Sequence, residues 1–254
     1  MSWKSQIKLF DERRDIIIPG DTKATVLFCA QQFLAIAKES IERHGFFSVA
    51  LSGGSTPKPV YELISRSTDN GVDWSNVKLF WSDERCVPPT DKDSNYHMTM
   101  QAGFDKLPLK KENIHRMQAE KDLEKASLEY EEIMRSQLHK GRFDLIILGM
   151  GEDGHTASLF PFTHGLHATG RQVIGNFVPK LNTWRMTLTY EAINAGRHIA
   201  FYIMGSGKAD TLLQVITGPY DPDKYPSQKI GTSNSKALWI LDDGASQDIR
   251  KVFT

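Results

Sequence analysis

The chain has 254 residues, 40% hydrophobic and 24% charged, values near soluble globular averages that exclude disordered, collagenous and coiled-coil classes. Its 31 Lys plus Arg balance 31 Asp plus Glu, so no net field holds a polyanion and nucleic-acid binding is not expected. The longest apolar run, 199–204, is far short of the ~18 residues of a membrane span, and Lys4, Lys8 and the charges at 11–14 stand where a signal peptide is apolar, so a cytoplasmic protein is expected.

Two cysteines, Cys29 and Cys86, with no C-x-x-C spacing suggest neither a disulfide framework nor a zinc knuckle. Both are expected to be buried reduced thiols. No repeat or low-complexity linker interrupts the chain, which predicts a single α/β domain over 1–254 with a mainly parallel sheet flanked by helices.

In chain order, Val26, Ala30, Phe33, Leu34, Ala37 and Ile41 form a helical stripe that starts at Asp21 or Thr22 as N-cap and ends at Gly45. A strand at 48–51 runs into Ser52-Gly53-Gly54-Ser55-Thr56-Pro57 and then a helical run at 60–64. Glycines permit close approach, Ser55 and Thr56 supply donors, and Pro57 suits a first helical turn, so this loop is a candidate phosphate cradle. A tight capped turn would read the same way. The next strand, 77–81, ends in Trp81-Ser82-Asp83-Glu84-Arg85, either a solvated edge or a polar wall in which Arg85 pairs a phosphate.

A helix at 122–138 carries Leu123, Ala126, Tyr130, Ile133, Met134 and Leu138 on one stripe, with Gly141 as its stop. Strand 143–148 then enters Gly149-Met-Gly151-Glu-Asp153-Gly154-His155. The formal G-x-G-x-x-G suggests a dinucleotide site, but no Asp or Glu occurs in 165–180 to bind a ribose. The glycines instead let the chain turn so that Asp153 and His155 converge at a strand's carboxyl end, with His155 a candidate for proton transfer. His164 and His167 have i, i+3 spacing but no evident third ligand, so no metal site is expected. Strands follow at 185–189, 198–204 and 236–241, with a helix at 208–216. Arg185 opens one strand and Lys208 begins a helix after another, which makes both candidate anion contacts. The segment 219–227, with three prolines, is a loop and a candidate lid or an ordinary surface connection.

Ser-Gly-Gly-Ser-Thr-Pro at 52–57, Trp-Ser-Asp-Glu-Arg-Cys-Val-Pro at 81–88, Asn95-Tyr96, the 148–161 block through Asp-Gly-His-Thr-Ala-Ser-Leu-Phe-Pro, and Arg-Met-Thr-Leu-Thr at 185–189 together resemble the 6-phosphogluconolactonase family. Gly-x-Gly-Lys-Ala at 205–209 and Trp-Ile-Leu-Asp-Asp at 239–243 fit it too. The resemblance implies a modified Rossmann-like three-layer fold shared with glucosamine-6-phosphate isomerases, no cofactor, and hydrolysis of 6-phosphoglucono-δ-lactone, a small sugar-phosphate lactone, in the oxidative pentose phosphate pathway. No obligate protein partner is evident.

Under that reading His155 is the base that takes a proton from water, Asp153 orients it or binds a sugar hydroxyl, and Ser52, Gly53, Gly54, Ser55, Thr56, Asp83, Arg85, Arg185 and Lys208 hold the substrate and its phosphate. Two rivals remain. In the related aldose-ketose isomerases the block after the histidine continues into Ala-Phe-Asn-Glu-Pro, whose Glu assists ring opening, whereas here it reads Ala157-Ser158-Leu159-Phe160-Pro161. A sugar-phosphate effector domain would add a helix-turn-helix segment, and the residues before Asp21 are too few for one.

Overall fold

The computed structural model describes residues 7–67 and 71–252. Of the charges read at the start of the chain, Lys4 lies outside them. Ten strands are present among the described residues: β1 (Lys8–Leu9), β2 (Arg14–Gly20), β3 (Phe47–Leu51), β4 (Val77–Trp81), β5 (Asp83–Arg85), β6 (Leu145–Leu148), β7 (Val173–Val178), β8 (Thr183–Leu188), β9 (Ile199–Ile203) and β10 (Ala237–Asp242). The α-helices are α1 (Thr22–His44), α2 (Pro57–Arg66), α3 (Asn95–Gln101), α4 (Leu123–Gln137), α5 (Tyr190–Asn194) and α6 (Ala209–Thr217).

Seven strands form one sheet in the order β1-β2-β10-β9-β6-β3-β4, parallel throughout except for β1. Side chains alternate across a strand, and here both faces are apolar, as in parallel sheets covered on both sides. Phe47, Val49 and Leu51 of β3, Leu145 and Ile147 of β6 and Tyr202 of β9 pack with Phe28 and Phe33 of α1 and Val60 and Tyr61 of α2. Ile146 and Leu148, Phe201 and Ile203, and Trp239 and Leu241 face the opposite core with Tyr130 and Met134 of α4, Ile193 of α5 and Leu212 of α6. The result is an α/β three-layer arrangement.

The caps expected of α1 are present, whereas α4 ends at Leu138 and not at Gly141, which closes a separate short turn at His139–Gly141. Asp21 accepts from the Ala24 N–H at 2.8 Å, and Gly45, at φ 91°, donates to Ile41 O and ends α1. Asp122 caps α4 by accepting from the Lys125 N–H.

Strands β1, β2, β5 and β7 fall outside the sequence reading. In β2 only Ile16, Ile17 and Ile18 are apolar, framed by Arg14-Asp15 and Pro19-Gly20, too short a run to stand out. Strand 185–189 is found as β8, but in a separate antiparallel sheet ordered β5-β8-β7. Its outer half is exposed or half-buried, and only Met186, Thr187 and Leu188 are buried. Cys29 is buried, whereas Cys86 is half-exposed because the chain leaves the main sheet after Trp81. Burial still pushes the Cys86 thiol up to about 11. Among the described residues no helix is long and apolar enough to cross a membrane.

Candidate active site

The sheet order places a topological switch between β3 and β6: from β3 the chain steps outward to β4, and from β6 it steps the other way to β9 and β10. Loops leaving the carboxyl ends of such neighbours diverge and leave a crevice. A cleft of about 220 Å³ opens there, lined by Ser52, Gly53, Gly54, Ser55 and Thr56 after β3, Asp83 and Arg85 after β4, Gly149, Gly151, His155 and Ala157 after β6, and Lys208 after β9, with Asn95. A larger hollow of about 670 Å³, lined by Trp74, Gly103 and Leu107 among others, contains none of the candidate residues.

The 52–56 loop is fixed from below. The fully buried Tyr61 hydroxyl donates to Ser52 O at 2.9 Å and accepts from the Ser52 N–H at 3.1 Å. A Cβ on Gly53 would stand 1.7 Å from Asn95 Oδ1, and Gly54 has φ +101°, so both positions require glycine. Thr56 makes no side-chain capping bond, Pro57 opens α2, and both residues line the cleft at the start of that helix.

Across the cleft, Asn95 Nδ2 donates to Asp83 O and Oδ1, and Ser158 Oγ donates to Asp83 Oδ2 at 2.6 Å. Glu84 turns the other way. Its carboxylate, only 3% exposed, accepts from the N–H groups of Arg85, Asn95 and Tyr96 and from Ser94 Oγ. Burial raises its pKa despite those bonds, and its work is to fasten the start of α3. Arg85 donates to Asp93 O at 2.6 Å.

The turn after β6 carries Asp153 and His155. Gly154 N–H donates to Gly151 O and Gly151 N–H to His155 O, closing a loop. A Cβ on Gly151 would lie 2.1 Å from the His155 imidazole, and Gly154 has φ +77° against Tyr225. His155 Nδ1 faces Asp153 Oδ1 at 2.5 Å, and Asp153 Oδ2 accepts from Lys180 Nζ at 2.9 Å. Burial alone would raise the Asp153 pKa, but the His155 and Lys180 contacts prevail and hold the carboxyl well below the usual range. An ionised Asp153 keeps the ring proton on Nδ1, which leaves Nε2 as the nitrogen available for proton transfer. Phe160 stacks on the imidazole, with ring centroids 3.9 Å apart.

Lys208 follows the Gly205 turn, whose N–H donates to both Asp242 oxygens at the end of β10. Its Nζ lies 3.9 Å from Glu152 Oε1. Asp153 stands behind His155 rather than in the cleft wall. Arg185 also stands outside that wall, directly across the β5–β8 pairing from Arg85. Its Nε and one Nη are buried without a hydrogen-bond partner, and burial together with Arg85 lowers its pKa. The 219–227 segment packs under the turn: Ser227 N–H and Oγ both donate to Gly154 O, and Phe162 N–H donates to Asp223 O. His167 lies 3.5 Å from Asp223, and among the described residues no group of three or more His, Cys, Asp or Glu is placed to hold a metal.

Three contributors escape the sequence reading as site residues. Asn95, on α3, is a fragment of the resemblance but has no assigned role. Phe160 lies in the recognised block, where nothing marks it as the stacking partner. Lys180 carries no signal at all, since its bond to Asp153 spans 27 residues.

Residues 20–239 match the family model described as glucosamine-6-phosphate isomerases/6-phosphogluconolactonase. The chain is similar to 6-phosphogluconolactonase of Chlamydia pneumoniae, 35% identical over 91% of this chain and 89% of that protein. Among solved structures it is similar to the devB protein, with 30% identity and a TM-score of 0.84 over 93% of this chain and 99% of the other. It also resembles 6-phosphogluconolactonase from Thermotoga maritima, with 28% identity and a TM-score of 0.79 over 91% and 100% of the two chains. A family model spanning most of the chain, together with a relative of this identity over nine-tenths of it, establishes that the chain belongs to the glucosamine-6-phosphate isomerase/6-phosphogluconolactonase family.

Proposed function

We propose that this protein hydrolyses 6-phosphoglucono-δ-lactone to 6-phosphogluconate in the oxidative pentose phosphate pathway, as a single cytoplasmic domain that needs no cofactor. The observation that carries the reading is a carboxylate-backed imidazole, His155 on Asp153, in the wall of a cleft that also presents a glycine loop, a helix start and the cations Arg85 and Lys208. The 52–56 loop with Arg85 and Lys208 holds the phosphate, and Arg185 adds positive potential behind Arg85.

His155 Nε2 takes a proton from water as the oxygen adds to lactone C1. The tetrahedral intermediate then expels the ring oxygen, which receives that proton from the imidazolium. The C1–ring oxygen bond breaks, the acid and a hydroxyl form, and His155 returns neutral. Asp153 fixes the ring and favours the imidazolium between the two steps, and Asp83 with Asn95 is positioned to orient sugar hydroxyls. A lactone hydrolyses slowly unaided, so positioning and one base supply the modest acceleration required.

The other chemistry of the family, aldose-ketose isomerisation, is disfavoured because the 156–161 segment after His155 contains no carboxylate and packs Phe160 on the imidazole instead. A coupled assay of freshly made 6-phosphogluconolactone, with an amino-sugar phosphate run alongside, tests the proposal. Turnover of the lactone above its spontaneous rate is expected, and turnover of the amino sugar alone would overturn it.

A further inference from the structure

The Asp153 carboxylate has two partners, and only one belongs to its own turn. Lys180 arrives from the β7–β8 hairpin, whose body is anchored by buried Val173, Val178, Met186 and Leu188. Its tip is the short helical turn Pro179–Leu181, closed by Asn182 in the left-handed region at φ 46°. The lysine side chain is 69% exposed, yet its Nζ sits 2.9 Å from Asp153 Oδ2, the oxygen that His155 does not use.

We propose that Lys180 is a positioning residue for His155: it occupies the outer oxygen of Asp153 and competes with the imidazolium for the charge of that one carboxylate. Two cations share one carboxylate when His155 is protonated, so each makes the other's charge harder to hold. The other charged groups near the pair are Glu152 within the turn, 3.9 Å from Lys208, and Asp83, Arg85 and Lys208 in the walls of the cleft. None of these bonds to Asp153, so Lys180 is the contact through which the hairpin reaches the base.

The inference rests on the reading of His155 as the general base, and its test has a readout independent of turnover. The imidazole of His155 is titrated by carbon-detected NMR in wild type, Lys180→Met and Lys180→Arg, and kcat and KM for the lactone are measured across pH on the same samples. In Lys180→Met the His155 midpoint is expected to rise by about half a pH unit, the size expected for one exposed charge. The acid limb of kcat/KM should rise with it, while KM at the alkaline plateau stays unchanged because Lys180 lies outside the cleft wall. Lys180→Arg, which restores the charge, should return both to wild type. A midpoint unmoved in Lys180→Met, or moved equally in both variants, overturns the proposal whatever the rates. If the midpoint moves as expected but wild type does not hydrolyse the lactone, the link from Lys180 to His155 stands and the lactonase reading falls.

Discussion

Strand β6 has an Asp–His pair at each end, one made through the imidazole Nδ1 and the other through Nε2, and the two sit in different surroundings. At the carboxyl end, Asp153 and His155 meet at 2.5 Å, with side chains 22% and 28% exposed and the ring in the wall of the cleft. At the amino end, Asp144 and His44 meet at 2.9 Å, with side chains 1% and 6% exposed. Asp144 Oδ2 also accepts from the Ser48 N–H and Oγ, and Arg197 Nε lies 3.4 Å from Oδ1. His44 stacks on His139 at 4.5 Å and its Nδ1 is buried without a hydrogen-bond partner. The amino-end pair clamps the last turn of α1 and the starts of β3 and β6. Of the two imidazoles, the one at the carboxyl end stands in the wall of the cleft, where the proposed chemistry needs its second nitrogen.

The comparison breaks most visibly at His155. His155→Ala should lower kcat/KM for the lactone by ~10²- to 10⁴-fold, the usual range for a positioned base, with an unchanged circular dichroism spectrum. His44→Ala should lower the unfolding temperature while the folded fraction keeps wild-type kcat. Asp144→Ala should cost about 3 to 5 kcal/mol in denaturant unfolding, because the Ser48 N–H and Oγ lose their buried acceptor and Arg197 its counter-ion. A loss below about 1 kcal/mol, the value of an exposed pair, would mean the amino-end pair holds nothing together.

Lys208→Ala should reduce kcat/KM on the phosphorylated lactone by an amount equivalent to ~1.5 to 3 kcal/mol and change plain glucono-δ-lactone far less. An equal loss on both substrates would move Lys208 to the carbonyl or the scaffold.

A smaller effect comes from a third histidine without substrate access. His115, whose Nε2 is buried without a partner and whose ring lies on Phe80, has its pKa pushed down to about 4 by burial and by Lys78. The unfolded chain takes that proton first, near the ordinary ~6.5, so its contribution to stability is present above ~6.5 and lost as pH falls toward 4. His115→Phe should flatten the fall of the unfolding temperature over that window, and an unaltered slope would remove His115 from the acid response. The smallest effect is none: prolonged EDTA should leave lactone turnover unchanged, and loss restored by a divalent ion would recast His155 as a ligand.

Legibility followed the same division between local and distant partners. The Gly149–Gly151–Gly154 spacing, the small residues at 52–56 and the apolar strands before them point to the carboxyl end because each signal lies within a few residues of its cause. The grouping of Ser52, Asp83, His155 and Lys208 rests on the sheet order, which no local pattern encodes. Arg185 reads as a strand-opening cation, yet its strand pairs antiparallel in a second sheet and sets it directly opposite Arg85. Lys180 and Asn95 reach the site across 27 and 12 residues respectively, and only tertiary structure relates them to their partners.

The most direct test of the account is the pH dependence of kcat/KM for lactone hydrolysis, corrected for the spontaneous reaction, in wild type, His155→Ala and His44→Ala. The account predicts a one-proton acid limb in wild type and in His44→Ala, and a residual rate in His155→Ala from which that limb is gone. An acid limb that persists in His155→Ala and disappears in His44→Ala would contradict the assignment of the base to the open end of β6.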